Sequence, residues 1–204
     1  MFDTKSSQYA INKQVLCLTD VDPTRKGKGD RYFSRCYPFE LEMDNENYEY
    51  AINPYVDKEK QFSKVPNINI LFQDKNESKT FEYDLLIHNP KCKILVTENI
   101  DNRNQILQLM DCVSFDEAKK IFGTTKDWRK RVIDSLCLSD WADDKKVRAL
   151  IATLYLKSVD KGENALELSN ILSTNLLNKE TNPKDYQQFV VPQYIVDGLK
   201  WLLK

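Results

Sequence analysis

Val15-Leu16-Cys17-Leu18-Thr19-Asp20-Val21-Asp22-Pro23 decides the fold class. It is a short apolar run that ends in two aspartates spaced i, i+2, and a run of this kind reads as a strand. Alternate residues of a strand share a face, so Asp20 and Asp22 leave the sheet edge pointing the same way. Two carboxylates so placed can hold a hard divalent cation, whose shell is completed by water and substrate phosphate. The competing reading is a plain turn, because Asp and Pro are common after strands.

Outward from this run, the first thirteen residues hold few apolar positions and read as a helix turn or frayed start. From Pro23 to Tyr37 the chain is polar and basic, with Arg25, Lys26, Lys28 and Arg31 interleaved with Gly27 and Gly29. That composition predicts a loop leading away from the strand end. Its cations form either a solvated charge run or a contact for a nucleic-acid backbone. Residues 38–66, rich in Glu, Asp, Asn and Tyr and punctuated by Pro38, Pro54 and Pro66, read as an insertion, partly hairpin or short helix. Asn67 to Phe72 suits a second strand, and Gln73 to Lys79 breaks it. Thr80 is placed to cap a helix over Phe81 to His88, with Glu82 near the positive end of its dipole. Ile94-Leu95-Val96 fits strand or helix, helix being preferred.

Beyond residue 100 the helical period takes over, over 103–112, 115–122, 126–138, 144–158 and 164–177, and Pro192 opens a last helix through Leu203. The segment Ala149 to Leu156 is apolar on nearly every side, which implies burial against several neighbours. The reading is an α/β chain. Residues 1–100 carry the sheet, and residues 101–204 form a mostly helical region packed on it.

At 204 residues, 41% hydrophobic and 30% charged, the chain can bury a substantial core. No secretory signal and no apolar run near the roughly 20 residues that cross a bilayer is visible, so the expected location is the cytoplasm, without a membrane partner. Cys17, Cys36, Cys92, Cys112 and Cys137 are scattered without a C-x-x-C pair, which argues against a zinc ribbon or a disulfide framework. His88 is the single histidine, so a multi-histidine metal site is excluded. A lone helical histidine is more often structural than catalytic. Chemistry here would run on carboxylates. With a formal net charge of −1, nucleic-acid binding would need local basic patches. Two stand out: the run from Arg25 to Arg31, and the cluster Arg129, Lys130 and Arg131.

Four segments together resemble the C-terminal nuclease region of the OLD (overcoming lysogenisation defect) family, whose catalytic module is a TOPRIM domain. Leu16 to Asp22 looks like the TOPRIM strand ending in D-x-D, and Lys79-Thr80-Phe81-Glu82-Tyr83-Asp84-Leu85 like the family's K-T-[LF]-E-[YW]-[DE]-L segment. Lys145 to Leu150 looks like its lysine-led helix, and Phe189 to Ile195 with Trp201-Leu202 like its closing helix. The resemblance covers under half the chain. It implies a partial TOPRIM-like parallel sheet flanked by helices, and metal-dependent cutting or nicking of DNA in bacterial anti-phage defence. Asp20 and Asp22 would bind Mg²⁺ or Mn²⁺, Glu82 with Asp84 would complete a second metal site, and Lys146 would stabilise charge on the scissile phosphate. Glu82 is the further candidate for a catalytic role.

The same residues have plainer readings. Glu82 is favourable in a first helical turn for dipole reasons alone, and on a helix Glu82 and Asp84 point about 200° apart. Lys146 is one of thirty basic residues, though a lysine in a first turn opposes the macrodipole, a cost that an anionic neighbour would remove. Two features depart from the family pattern. No upstream strand bears the glutamate that precedes D-x-D, Asp3 being the only earlier acid, and no G-x-x-x-x-G-K-[ST] loop serves an ATPase. The expectation is therefore a C-terminal piece or a separate subunit, inactive alone, with an upstream ATPase region or partner subunit. A homo-oligomer is compatible with it. The alternative is a non-catalytic protein-interaction module built on the helical half.

Overall fold

The computed structural model describes residue 3, residues 5–41 and residues 43–204. Among these the order is β1 (Val15–Thr19), β2 (Thr24–Gly27), β3 (Ser34–Arg35), β4 (Tyr48–Ala51), α1 (Lys58–Phe62), β5 (Ile68–Phe72), α2 (Phe81–His88), α3 (Arg103–Asp111), α4 (Phe115–Phe122), α5 (Asp127–Leu138), α6 (Asp143–Ser158), α7 (Lys161–Thr181) and α8 (Gln193–Leu202). Three short 3₁₀ turns, Pro38–Glu40, Pro54–Asp57 and Lys93–Leu95, complete it. The chain is α/β. The expected helical start falls partly on residues 1, 2 and 4, outside the described residues, and turns occupy the positions that follow. No helix among the described residues is long and apolar enough to cross a membrane. The chain packs as two units, residues 1–81 with 191–204 and residues 82–190, whereas the sequence reading divides it at about residue 100.

In the first unit β1 and β5 form a two-stranded parallel sheet in register from Val15 opposite Ile68 to Thr19 opposite Phe72. A parallel pair needs a long crossover. Here the crossover carries a second sheet, antiparallel and ordered β3-β2-β4. The stretch from Pro23 to Tyr37 is therefore not a loop, as expected, but a β-arm. Its polar residues show no apolar alternation, and its strand character comes from cross-strand partners supplied by β4. Lys26 lies opposite Glu49 and pairs with it at 3.0 Å, while the Arg25 guanidinium sits 4.6 Å from the Tyr48 ring centroid. Val21, Cys36, Phe39, Val56 and Ile70 are buried in this unit. Helix α8 lies so close to β1 that a Cβ on Gly198 would come within 2.6 Å of a Leu16 methyl carbon.

The second unit is helical, and α6 is its axis. From Ala149 to Tyr155 every residue of α6 is at most 1% exposed, as the apolar run implied, and α6 packs on α3 and α4. Ser114 caps α4 by accepting from the Glu117 N–H at 3.3 Å, and Glu117 returns a carboxylate to the Val113 N–H at 3.1 Å. Asp160 caps α7 by accepting from the Gly162 N–H at 3.0 Å. Asn175 and Asn89 each grip the returning chain with both side-chain atoms, Asn175 at Gln187 and Asn89 at Val190. An irregular segment is held where no ladder exists.

Inside this unit Tyr155 accepts from the Asn164 amide at 2.9 Å. Burial pushes its phenol up to about 12; the Asn164 bond acts the other way, and Glu82 and Glu167 add to the rise. The folded value lies above the unfolded one, so this contribution to stability is complete below pH of about 10 and is lost as pH rises toward 12. A rise of about two units corresponds to roughly 3 kcal/mol. Urea unfolding at about pH 9 and pH 11.5 is expected to show wild type losing stability that Tyr155→Phe does not lose; equal losses would remove Tyr155 as the cause.

Candidate metal centre

Strand β1 ends at Thr19, so the alternation that was to align Asp20 with Asp22 stops just before them. Other constraints bring the pair to one place. Asp22 has a left-handed backbone, φ 39°, and its N–H donates to the Lys79 carbonyl at 2.9 Å. Asp20, Asp22, Thr19 and Asn53 line a cavity of about 420 Å³ together with Leu18, Phe81 and Tyr194. It opens at the carboxyl end of β1, the end of a parallel strand where ligands of open α/β sheets bind.

The corner is held by residues that the sequence reading assigned no role. Gln73 follows β5, and the register that sets Thr19 opposite Phe72 brings it beside Asp20. Its Nε2 donates to Asp20 Oδ1 at 2.7 Å, and its Oε1 accepts from the Val21 N–H at 3.1 Å. The Phe81 N–H also donates to Asp20 Oδ1, at 3.0 Å. Asn53 donates from Nδ2 to the Asp20 carbonyl at 2.9 Å, and its own N–H donates to the Val21 carbonyl at 2.8 Å. A parallel register carried one step past the strand ends would have found Gln73; no local signal marks Asn53.

Lys79 stands behind the corner. Its ammonium is buried, donates to the Cys36 carbonyl at 2.6 Å and lies 5.3 Å from the Tyr37 ring centroid. Burial holds it below the usual lysine range, and Asp22 acts against that shift. Lys79 opens the segment that resembles the K-T-[LF]-E-[YW]-[DE]-L motif, and nothing local in that segment marks it for burial.

The remaining candidates are placed as follows. Glu82, Asp84 and Lys146 belong to the second unit. Asp84 is buried, with His88 Nε2 at 3.5 Å from its Oδ1, while Glu82 is half-buried, as positions two apart on a helix require. His88 thus has a structural partner. Lys146 Nζ lies 5.6 Å from the Phe115 ring centroid in the first turn of α6. Glu82 acts on the Tyr155 hydroxyl, and Tyr155 lies about 13 Å further along that helix than Lys146. Of the four expected backbone contacts, Arg25 is turned inward, 3.8 Å from the fully buried Glu40, and Lys26 pairs with Glu49; Lys28 and Arg31 are exposed. Arg129 of the second basic cluster is buried.

Among the described residues no group of three or more His, Cys, Asp or Glu is disposed to hold a metal. Asp20 and Asp22 are a pair, and Mg²⁺ commonly takes only one or two carboxylates, with water and phosphate completing its octahedron. A carboxylate has about four acceptor positions, so the two bonds to Asp20 Oδ1 orient the group without exhausting it. Two carboxylates are the kind and number of protein ligands that Mg²⁺ commonly takes. Comparison with protein-family models, with curated proteins and with solved structures returns no match for this chain.

Proposed function

We propose that the Asp20–Asp22 cleft binds Mg²⁺ or Mn²⁺ and that the chain is part of a metal-dependent DNA endonuclease of the OLD kind, its β1–β5 sheet being a partial TOPRIM sheet. One observation carries the reading: Asp20 and Asp22 line a single cavity at the carboxyl end of a parallel strand. Asp20 is fixed by Gln73 and the Phe81 amide, so it presents its charge without a large ordering cost, and Asp22 is fixed through its backbone to Lys79. A cation held there would polarise a phosphoryl oxygen and lower the pKa of bound water. Cleavage would draw on an upstream ATPase region or a partner subunit, and the anti-phage role of OLD nucleases is the biological setting.

Calorimetric titration with Mn²⁺ tests it. Wild type is expected to bind saturably, and Asp20→Asn with Asp22→Asn to lose that binding while keeping its fold. Absent heat in the wild type, or undiminished heat in the double variant, would overturn the proposal. A second reading, an interaction module, is favoured by Leu166 and Leu177 on α7, which are 71% and 61% exposed and share one helix face. Such a module would bind no Mn²⁺ at the aspartates.

A further inference from the structure

We infer that the β2–β3 hairpin is a grip for single-stranded nucleic acid, with Tyr32 and Phe33 stacking on unpaired bases and Lys28 and Arg31 meeting phosphates. The inference deepens the nuclease reading, on which it rests for its biological purpose, by naming the substrate class.

The hairpin reverses through Gly29, at φ 99°, and every residue from Lys28 to Arg35 is exposed. At its tip two aromatic rings face solvent, Tyr32 at 73% and Phe33 at 45% exposure. The Arg31 guanidinium lies 5.2 Å from the Tyr32 ring centroid and the Lys26 ammonium 5.1 Å from that of Phe33. Of the five cations between Pro23 and Tyr37, Arg25 and Lys26 pair with Glu40 and Glu49, while Lys28, Arg31 and Arg35 are exposed beside the carboxylate of Asp30, in a chain whose net charge is −1. The charge complements a polyanion. A solvated charge run has no use for rings at its tip, and neither does a duplex, whose base faces are covered by stacking. Unpaired bases offer π-faces, and rings interleaved with cations are how single strands are bound. An anionic membrane surface would meet the same cations but offers no π-face to Tyr32 and Phe33, which favours a nucleic-acid occupant.

Fluorescence anisotropy in EDTA, at two salt concentrations, tests this with an oligothymidylate of about twenty nucleotides, a duplex of the same length and phosphatidylserine vesicles. Wild type is expected to bind the single strand at least about tenfold tighter than the duplex. Tyr32→Ala with Phe33→Ala should lose about tenfold or more for the single strand and leave duplex binding unchanged. Lys28→Ala with Arg31→Ala should weaken both and lower the salt slope by about 1.5. All four side chains are exposed, so the variants should unfold at the wild-type temperature, which a thermal melt verifies. Equal affinity for strand and duplex, full affinity in the ring variant, or binding to vesicles alone would overturn the inference. Because EDTA removes the metal, failure here is distinct from failure of the Mn²⁺ titration.

Discussion

Asp20→Ala is expected to lower the unfolding free energy by about 2–4 kcal/mol, whereas Asp20→Asn should cost less than about 1 kcal/mol. The asymmetry follows from what Asp20 Oδ1 accepts: the Gln73 amide at 2.7 Å and the Phe81 N–H at 3.0 Å. Gln73 is buried, and after truncation its Nε2 keeps only a long 3.4 Å contact to the Tyr194 hydroxyl. Hydrogen bonds to a charged group contribute about 1.5–3 kcal/mol each, and a buried donor left unpaired costs its full desolvation. Water can reach the exposed Phe81, which limits the second loss. Asparagine keeps an oxygen in the same position and loses the charge alone. Asp22 is the contrast: its side chain accepts no such pair, and Asp22→Ala should cost less than Asp20→Ala, through the strain of alanine at φ 39°, about 1 kcal/mol, and the loss of a charge that favours the buried Lys79 ammonium. Urea unfolding of the three variants measures this. If Asp20→Asn proved as damaging as Asp20→Ala, the negative charge rather than the acceptor would hold the corner. The series also separates architecture from ligation, since Asp20→Asn removes a cation ligand while sparing the fold.

Which parts of this were legible follows from the range of the forces involved. Helical period is a local signal, and α3 through α6 lie within two residues of the segments read from it, because apolar residues three and four apart must share a face. The two strands of the parallel sheet were legible for the same reason, each being an apolar run with a break behind it. The β2–β3–β4 sheet was not. Thr24-Arg25-Lys26-Gly27 has no alternation of its own, and its strand state is decided by Glu49 and Tyr48 on a distant segment. The aspartate pair of the candidate site was legible as a motif, while its support was not. Gln73 becomes visible only once the register of β1 against β5 is known, and Lys79 only once the Cys36 carbonyl and the Tyr37 ring are seen to enclose it. Charge runs misled most: Arg25 reads as surface from composition, yet Glu40 and Tyr48 hold it within the sheet.

Arg129 carries the same lesson to its largest consequence. In sequence it belongs to a basic cluster suited to phosphates; in the fold it is 6% exposed and joins three helices. One guanidinium nitrogen donates to the Phe122 carbonyl, which ends α4, and another donates to Gln105 Oε1 on α3 at 3.0 Å. Its guanidinium lies 5.1 and 5.2 Å from the centroids of the Phe122 and Trp128 rings, which themselves meet edge to face at 5.7 Å. Arg129→Ala would leave a helix-terminal carbonyl and a glutamine oxygen poorly paired beside an unfilled volume, an expected loss of about 3–5 kcal/mol. Arg129→Lys should recover little, because a point charge on a flexible stem cannot span two acceptors as a planar fork does. The exposed neighbour Lys130 supplies the control: Lys130→Ala should stay within about 0.5 kcal/mol. Thermal or urea unfolding reads the stability, and oligothymidylate anisotropy reads binding on the same variants. Arg129→Ala should destabilise the fold and leave the salt slope unchanged, the inverse of Lys28→Ala with Arg31→Ala on the hairpin. An Arg129→Ala protein of wild-type stability with a reduced salt slope would reverse the assignment and return this cluster to the surface role that its sequence advertises.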